Sequence, residues 1–345
     1  MNNTNIKSLS GMLPTEIVNE CNLKQNFRGQ QIFENIAKGV ANISELTNLS
    51  IKERERLSEK FAVRETVVED KLIDPDGTVK LVINLNDGNK VETVLLEDKS
   101  KRKTACLSSQ AGCPLACSFC KTGQLGFSRN LDASEIVEQF FYLEQSVGKL
   151  DNIVFMGMGE PLLNLNELKK AIAILSHPKG RNFSKRRITV STAGVIKGIY
   201  ELTDTLPEIK LAVSLTTADQ DLRAKLMPVE KNNPLNELKT AIKYYNQKTK
   251  KRVTLEVALM HNVNSSFKSA KKIIDFTDSL NVHINLIPWN PIPELNFKSP
   301  THSELLNFEK YLTDAGLNVT KRLSRGQKIG GACGQLGKTN ISQDS

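Results

Sequence analysis

The sequence is short of several things. Across its 345 residues no run approaches the ~20 consecutive apolar positions that span a bilayer. Its start, Met1-Asn2-Asn3-Thr4-Asn5, lacks the basic and apolar regions of a secretory signal, so the expected location is the cytoplasm, away from any membrane. Cysteines number six, few for this length, and three of them crowd into the segment Cys113 to Cys120, too tightly to staple a secreted fold. A reducing compartment and a metal site suit them better. Repeats and low-complexity blocks are also missing, and the composition excludes a coiled coil, a collagen-like chain or wholesale disorder.

What is present is an ordinary globular composition, 39% hydrophobic and 25% charged, long enough for one large domain or two smaller ones. Lys and Arg total 47 against 38 acids, a formal charge of +9, compatible with a polyanionic partner such as nucleic acid or a membrane surface, which net charge alone does not distinguish.

Periodicity divides the chain into three parts. Residues 1–98 read as an accessory α+β domain. Ile32, Ile36 and Val40 recur at helical spacing and Ser50 can cap a helix from Ile51; between Val63 and Leu96, β-like runs meet at the turn pairs Asp76-Gly77 and Asp87-Gly88. In residues 99–327, apolar runs at Ile153, Arg187, Leu211, Val253, Val282 and Leu317 alternate with amphipathic stretches such as Ala133 to Val147 and Leu235 to Lys248. That alternation predicts an α/β fold, a parallel sheet or partial (β/α)6 barrel with its site at the carboxyl ends of the strands. Residues 328–345 form a tail.

Cys113-Pro-Leu-Ala-Cys117-Ser-Phe-Cys120 has the spacing C-x3-C-x2-C. An iron-sulfur cluster usually takes four thiolates, so three leave one iron open to a small molecule. A closed zinc site is the alternative, but it wants a fourth ligand nearby, and no histidine follows until His177. The triplet resembles that of the radical S-adenosylmethionine (SAM) superfamily, in which a 4Fe-4S cluster chelates SAM and cleaves it to a 5′-deoxyadenosyl radical. Met156-Gly-Met-Gly159-Glu160-Pro161 follows an apolar strand and is similar to the SAM-binding motif of that superfamily. Taken alone, such a glycine pattern is more often a strand-to-loop turn.

Cys106 and Cys333 stand apart from the triplet. A single cysteine ordinarily reads as a small buried hydrophobe, as Cys21 does. Thr104 to Cys113, Gly126 to Leu131, Met156 to Asn164 and Ala332-Cys333-Gly-Gln-Leu336 give a different context: nearly the whole chain from Gly29 resembles the radical SAM methyltransferases of adenine 2503 in 23S ribosomal RNA. The resemblance implies that Cys333 takes a methyl group from one SAM and that a second SAM supplies the radical. It also implies that Cys106 resolves the RNA adduct through a transient disulfide, and that Glu92 accepts the base proton. From its residues alone, Glu92 reads equally as a solvated strand carboxylate. Implied SAM contacts are Gly159, Glu160, Ser191, Ser214, Leu215, Thr216 and Asn290, and the implied cluster ligands are Cys113, Cys117 and Cys120. Implied partners are 23S rRNA, tRNA carrying adenine 37, and a low-potential donor such as flavodoxin or ferredoxin.

Two departures stand out. Relatives read Ser-Leu-His where this chain has Ser214-Leu215-Thr216, and acids precede their cysteine where this chain has Lys328-Ile329-Gly330-Gly331-Ala332. Basic clusters at Lys99 to Lys103, at Arg181 with Lys185 to Arg187, and at Lys248 to Arg252 suit phosphate contact or simply form solvated faces. Thr122 to Leu131 is closer to the carbon-2 branch of the family than to the carbon-8 resistance branch. A non-catalytic cluster-bearing RNA-binding protein is the third reading, and it leaves Cys106 and Cys333 without purpose.

Overall fold

Strand and helix follow one another where the sequence alternates, and the computed structural model describes residues 6–98, 100–322 and 324–337. Lys99 and residues 338–345, named above in the basic link and the tail, lie outside the described residues. Helices are α1 (Pro14–Glu20), α2 (Asn26–Ala37), α3 (Ile51–Ser58), α4 (Lys121–Gln124), α5 (Ala133–Val147), α6 (Leu165–Ser176), α7 (Ile196–Thr205), α8 (Gln220–Leu226), α9 (Leu235–Thr249), α10 (Phe267–Thr277) and α11 (His302–Asp314). Strands are β1 (Lys7–Ser8), β2 (Phe61–Ala62), β3 (Val67–Ile73), β4 (Val79–Asn84), β5 (Lys90–Glu97), β6 (Lys103–Cys106), β7 (Gln110–Gly112), β8 (Phe127–Asn130), β9 (Asn152–Phe155), β10 (Ile188–Thr192), β11 (Lys210–Ser214), β12 (Val253–Leu259), β13 (Val282–Pro288) and β14 (Val319–Lys321).

One sheet runs in the order β14-β13-β12-β11-β10-β9-β6-β5-β4-β3. From β6 through β14 every pairing is parallel, with α5, α6, α7, α9, α10 and α11 as crossovers: six strand–helix units and a closing short strand, the partial (β/α)6 barrel of an α/β fold. Period-two alternation sorts the strands. On β12, Val253, Leu255, Val257 and Leu259 are fully buried in the core, while Glu256 and Ala258 point into a cavity.

The expected boundary at residue 98 is crossed by sheet hydrogen bonds. β5 pairs antiparallel with β6, Val94 opposite Cys106 and Leu95 opposite Ala105, and β4 and β3 continue the same sheet outward. At the outer edge, β3 carries Glu69, Asp70 and Lys71 and breaks register between Val68 and Asp70, devices that blunt an open strand.

Local signals end the helices where the sequence places them. Ser50 caps α3 through the Glu53 N–H at 3.3 Å. Asp132 caps α5, accepting from Glu135 N–H at 2.9 Å while the Glu135 carboxylate accepts from Asp132 N–H at 3.0 Å, and Gly148 stops the helix. No helix among the described residues is long and apolar enough to cross a membrane.

The N-terminal segment docks on α5 through a single carboxylate. Glu138 is fully buried, and its oxygens accept from Ser8 Oγ at 2.7 Å, Ser10 Oγ at 2.8 Å, Thr66 N–H at 2.9 Å and Thr66 Oγ1 at 2.5 Å. Burial pushes its pKa up, and the hydrogen bonds oppose that shift. Removing the acceptor leaves several buried donors unsatisfied, so Glu138→Ala is expected to lower unfolding free energy by about 3 kcal/mol. Urea midpoints with unchanged slope would register it.

Candidate active site

At the carboxyl ends of the parallel strands lies a cavity of about 190 Å3 with the three cysteines on one wall. Cys113 follows β7 and Cys120 precedes α4, and the loop between them rests on a small apolar cluster of its own, in which Leu226, Met227, Met260 and Trp289 pack against Leu115, Cys117 and Phe119. Trp289 Nε1 donates to Phe119 O at 2.9 Å and fixes the loop's height. Burial pushes the Cys113 thiol up to about 12 and raises Cys117 and Cys120 as well, and the thiols' mutual repulsion adds to it. Such thiols ionise only against strong positive charge. Among the described residues, no three metal-binding side chains converge on a single ion. Three soft donors lining one wall beside an open cavity fit a 4Fe-4S cluster with one iron left for SAM.

The same cavity takes in most of the residues implied for SAM. Glu160 is 3% exposed, and its oxygens accept from Ala193 N–H at 2.8 Å and Leu162 N–H at 3.0 Å. Burial outweighs those bonds and raises its pKa to about 7. Gly159 has φ +96°, and a Cβ there would stand 2.5 Å from Gln110 Cβ, so this turn requires glycine. Ser191, Ser214, Thr216 and Asn290 line the same cavity. Leu215 does not: it is fully buried, and its carbonyl accepts from Arg223.

Thr216 is unusual in conformation. Its φ is +58°, unusual for a β-branched residue, held by its N–H to Glu256 O at 3.1 Å and by Asn264 Nδ2 on its carbonyl at 2.9 Å. Histidine and asparagine enter that region more readily.

A second cavity, about 230 Å3, adjoins the first and is lined by Cys106, Cys333, Val94, Leu96, Arg322 and Arg325 among others. Cys333, Met156, Ile287 and Asn290 belong to both cavities. Cys106 is 6% exposed, and burial pushes its thiol to about 12, with the nearby Cys333 adding to the rise and Arg322 drawing it down. Neither cysteine is in a disulfide. Asn290 Nδ2 donates to Cys333 O at 2.9 Å, and Asn290 Oδ1 accepts from Gln327 Nε2 at 2.7 Å, so its amide grips the tail.

Glu92 lies outside both cavities. It is no solvated carboxylate, being 2% exposed, because β5 is an interior strand of the ten. Glu92 Oε1 accepts from Lys80 Nζ at 3.0 Å and Oε2 from Gly337 N–H at 2.7 Å. It shares the strand face of Val94 and Leu96, which line the Cys106 cavity, and stands at the end of that row.

Arg223 gave no signal of its own in the sequence. Its guanidinium is fully buried, pairs with Glu230 at 2.5 Å, and donates to Ala193 O at 2.6 Å and Leu215 O at 3.3 Å, tying the loops after β10 and β11 together behind the cavity. The basic clusters, by contrast, are partly neutralised: Lys101 pairs with Glu97, Arg102 with Asp98, Arg181 with Glu144 and Lys248 with Asp204.

Comparison with known proteins bears on this arrangement. Residues 107–273 match the family model of the Radical SAM superfamily. A Treponema denticola protein named "Probable dual-specificity RNA methyltransferase RlmN" is 61% identical over 332 residues, covering 96% of each chain. A Syntrophobacter fumaroxidans protein named "Dual-specificity RNA methyltransferase RlmN" is 41% identical over 317 residues, covering 91% of this chain and 92% of that one. The crystal structure of a radical SAM methyltransferase from Sphaerobacter thermophilus superposes with a TM-score of 0.92 at 36% identity, over 96% of this chain and 99% of the other.

Two substitutions test the scaffold of the site. Arg223→Met leaves Glu230 buried and unpaired and is expected to cost about 3–5 kcal/mol, whereas Arg223→Met with Glu230→Leu recovers most of the loss, as denaturant titration of the full cycle will report. Thr216→Asn relieves the backbone and is expected to raise stability by about 1 kcal/mol, seen as a higher melting temperature.

Proposed function

The chain belongs to the RlmN family of dual-specificity radical SAM RNA methyltransferases, and on that premise we propose that it methylates carbon 2 of adenine 2503 in 23S rRNA and carbon 2 of adenine 37 in some tRNAs. The observation that carries this reading is the place of Cys333, whose residue lines both cavities, one beside the cysteine triplet and Glu160, the other beside Cys106. A thiol so placed can accept a methyl group on one side and present it to a base on the other.

Carbon 2 of adenine lies between two ring nitrogens and is electron-poor, so it does not attack the sulfonium methyl directly. The 4Fe-4S cluster held by Cys113, Cys117 and Cys120 supplies, when bound, the electron that turns SAM into a hydrogen-abstracting agent. Glu160, Gly159, Ser191, Ser214, Thr216 and Asn290 orient SAM. Cys333 Sγ holds the transferred carbon, and once that carbon, now a methylene, is joined to the base, the Cys106 thiolate attacks Cys333 Sγ: the S–C bond breaks, its electron pair goes to the carbon, which takes up a proton to become the methyl group, and a disulfide is left. Arg322 lies where it favours the Cys106 thiolate against the cost of burial. Glu92 accepts the proton from the base, a role that requires its bond to Gly337 N–H to open.

Adenine must leave its stack to enter the second cavity, which favours an unfolded rRNA segment or a loop. The N-terminal part, residues 1–98, serves as a further RNA grip, and a flavodoxin or ferredoxin serves as electron donor.

Anaerobic incubation of cluster-loaded protein with SAM, reductant and rRNA, followed by nucleoside mass spectrometry, tests the reading. The expected product is 2-methyladenosine from the parent and none from Cys333→Ala. Detection of 8-methyladenosine would move the chain to the other branch, and no methylated adenine would overturn the proposal. Glu160→Gln is expected to weaken SAM binding by at least ~10-fold in calorimetry, because a charge-assisted bond to the SAM ammonium group becomes a neutral one.

A further inference from the structure

The tail around Cys333 is glycine-rich, with Gly326, Gly330 and Gly334 all at positive φ, and such a segment keeps a thiol in one place only if something outside it does the holding. The β3–β4 turn and the lysine behind it supply that hold. Asp76 Oδ2 accepts from Gly326 N–H at 2.8 Å, and Asp74 Oδ2 from Lys328 N–H at 3.1 Å. Lys80 Nζ donates to Gly330 O at 3.3 Å as well as to Glu92, whose other oxygen takes Gly337 N–H. The anchors therefore fall on both sides of Cys333.

Stability alone does not account for the buried pair. Lys80 and Glu92 side chains are 1% and 3% exposed, and an ion pair so deep is often no more stabilising than apolar residues of similar volume. Its remaining donor and acceptor capacity goes to the tail backbone. The tail from Gly326 to Gly337 carries no acid of its own, and the acids that meet its backbone belong to the hairpin.

Resting on the reading of Cys333 and Cys106 as a working pair, we propose that Asp74, Asp76 and Lys80 are positioning residues that hold Cys333 within reach of Cys106 and at the junction of the two cavities. None of the three lines either cavity, so they act through the tail backbone alone. What they set is the effective concentration of one thiol at the other.

That quantity is measurable without RNA or SAM. In a glutathione buffer, two thiols and one glutathione disulfide give the Cys106–Cys333 disulfide and two glutathiones, and the equilibrium constant reports the effective concentration directly. The decisive variant is Asp74→Asn with Asp76→Asn. Each asparagine keeps the Oδ1 that caps the turn, accepting from Asp76 N–H at 3.0 Å and Thr78 N–H at 2.9 Å, and sets an NH2 against the tail N–H instead of an acceptor. Anaerobic equilibration of the full-length, cluster-loaded chain, read by mass spectrometry of the Cys106 and Cys333 peptides, is expected to show a constant at least ~10-fold below the parent's. Lys80→Met is expected to lower it similarly. In methylation assays kcat falls with it while KM for RNA holds. A double-asparagine constant equal to the parent's overturns the positioning role alone; a parent that forms no Cys106–Cys333 disulfide overturns the pairing on which the role rests.

Discussion

One thiol set in the common wall of two cavities is the constraint around which this molecule is arranged. Parallel strands open their carboxyl ends into the first cavity, and the antiparallel extension β5 joins Cys106 and β6 to form a wall of the second. Cys333 comes from neither sheet nor helix but from a loop late in the chain, so its place is set by contacts with segments far away in sequence. Asn290 from the end of β13, Thr122 Oγ1 on Leu336 O and Lys121 N–H on Gly334 O hold it from the cluster side, and the hairpin holds it from the other. The barrel thus does two jobs at once, shaping a cofactor cavity and presenting a surface on which a flexible loop becomes fixed.

What was legible in the sequence follows from locality. Strand alternation, the helix cap at Ser50 and the cysteine spacing are all encoded within a few residues, and the structure realises the alternation and the cap. The turn at Gly159 was legible as a strand-to-loop turn, but not that Gln110 crowds it. Long-range polar partners were not legible. Nothing around Lys80 announces Gly330, nothing around Arg223 announces the loops it ties, and Ser8 and Ser10 look like ordinary surface residues until Glu138 stands between them. Glu92 shows the limit well: its sequence neighbours describe a strand but not how deep in the sheet that strand runs. The short helices α7 and α8 were absent from the periodic reading.

Charge also reads differently in three dimensions. The excess of +9 suggests broad basic faces, yet Arg181 and Lys248 in two of the runs meet carboxylates brought from other elements, Glu144 and Asp204, which leaves guanidiniums such as Arg322 and Arg325 in the second cavity more telling than any run. The change of periodicity at residue 98 likewise does not interrupt the sheet, since β5 and β6 pair across it.

Because Cys333, Met156, Ile287 and Asn290 face both cavities, a ligand in either one rests against residues that the other must also use. The two binding equilibria are then linked, and linkage is reciprocal: by whatever factor an occupant of the first cavity alters affinity in the second, an occupant of the second alters affinity in the first. Cooperativity between them needs no distant relay, only a shared wall.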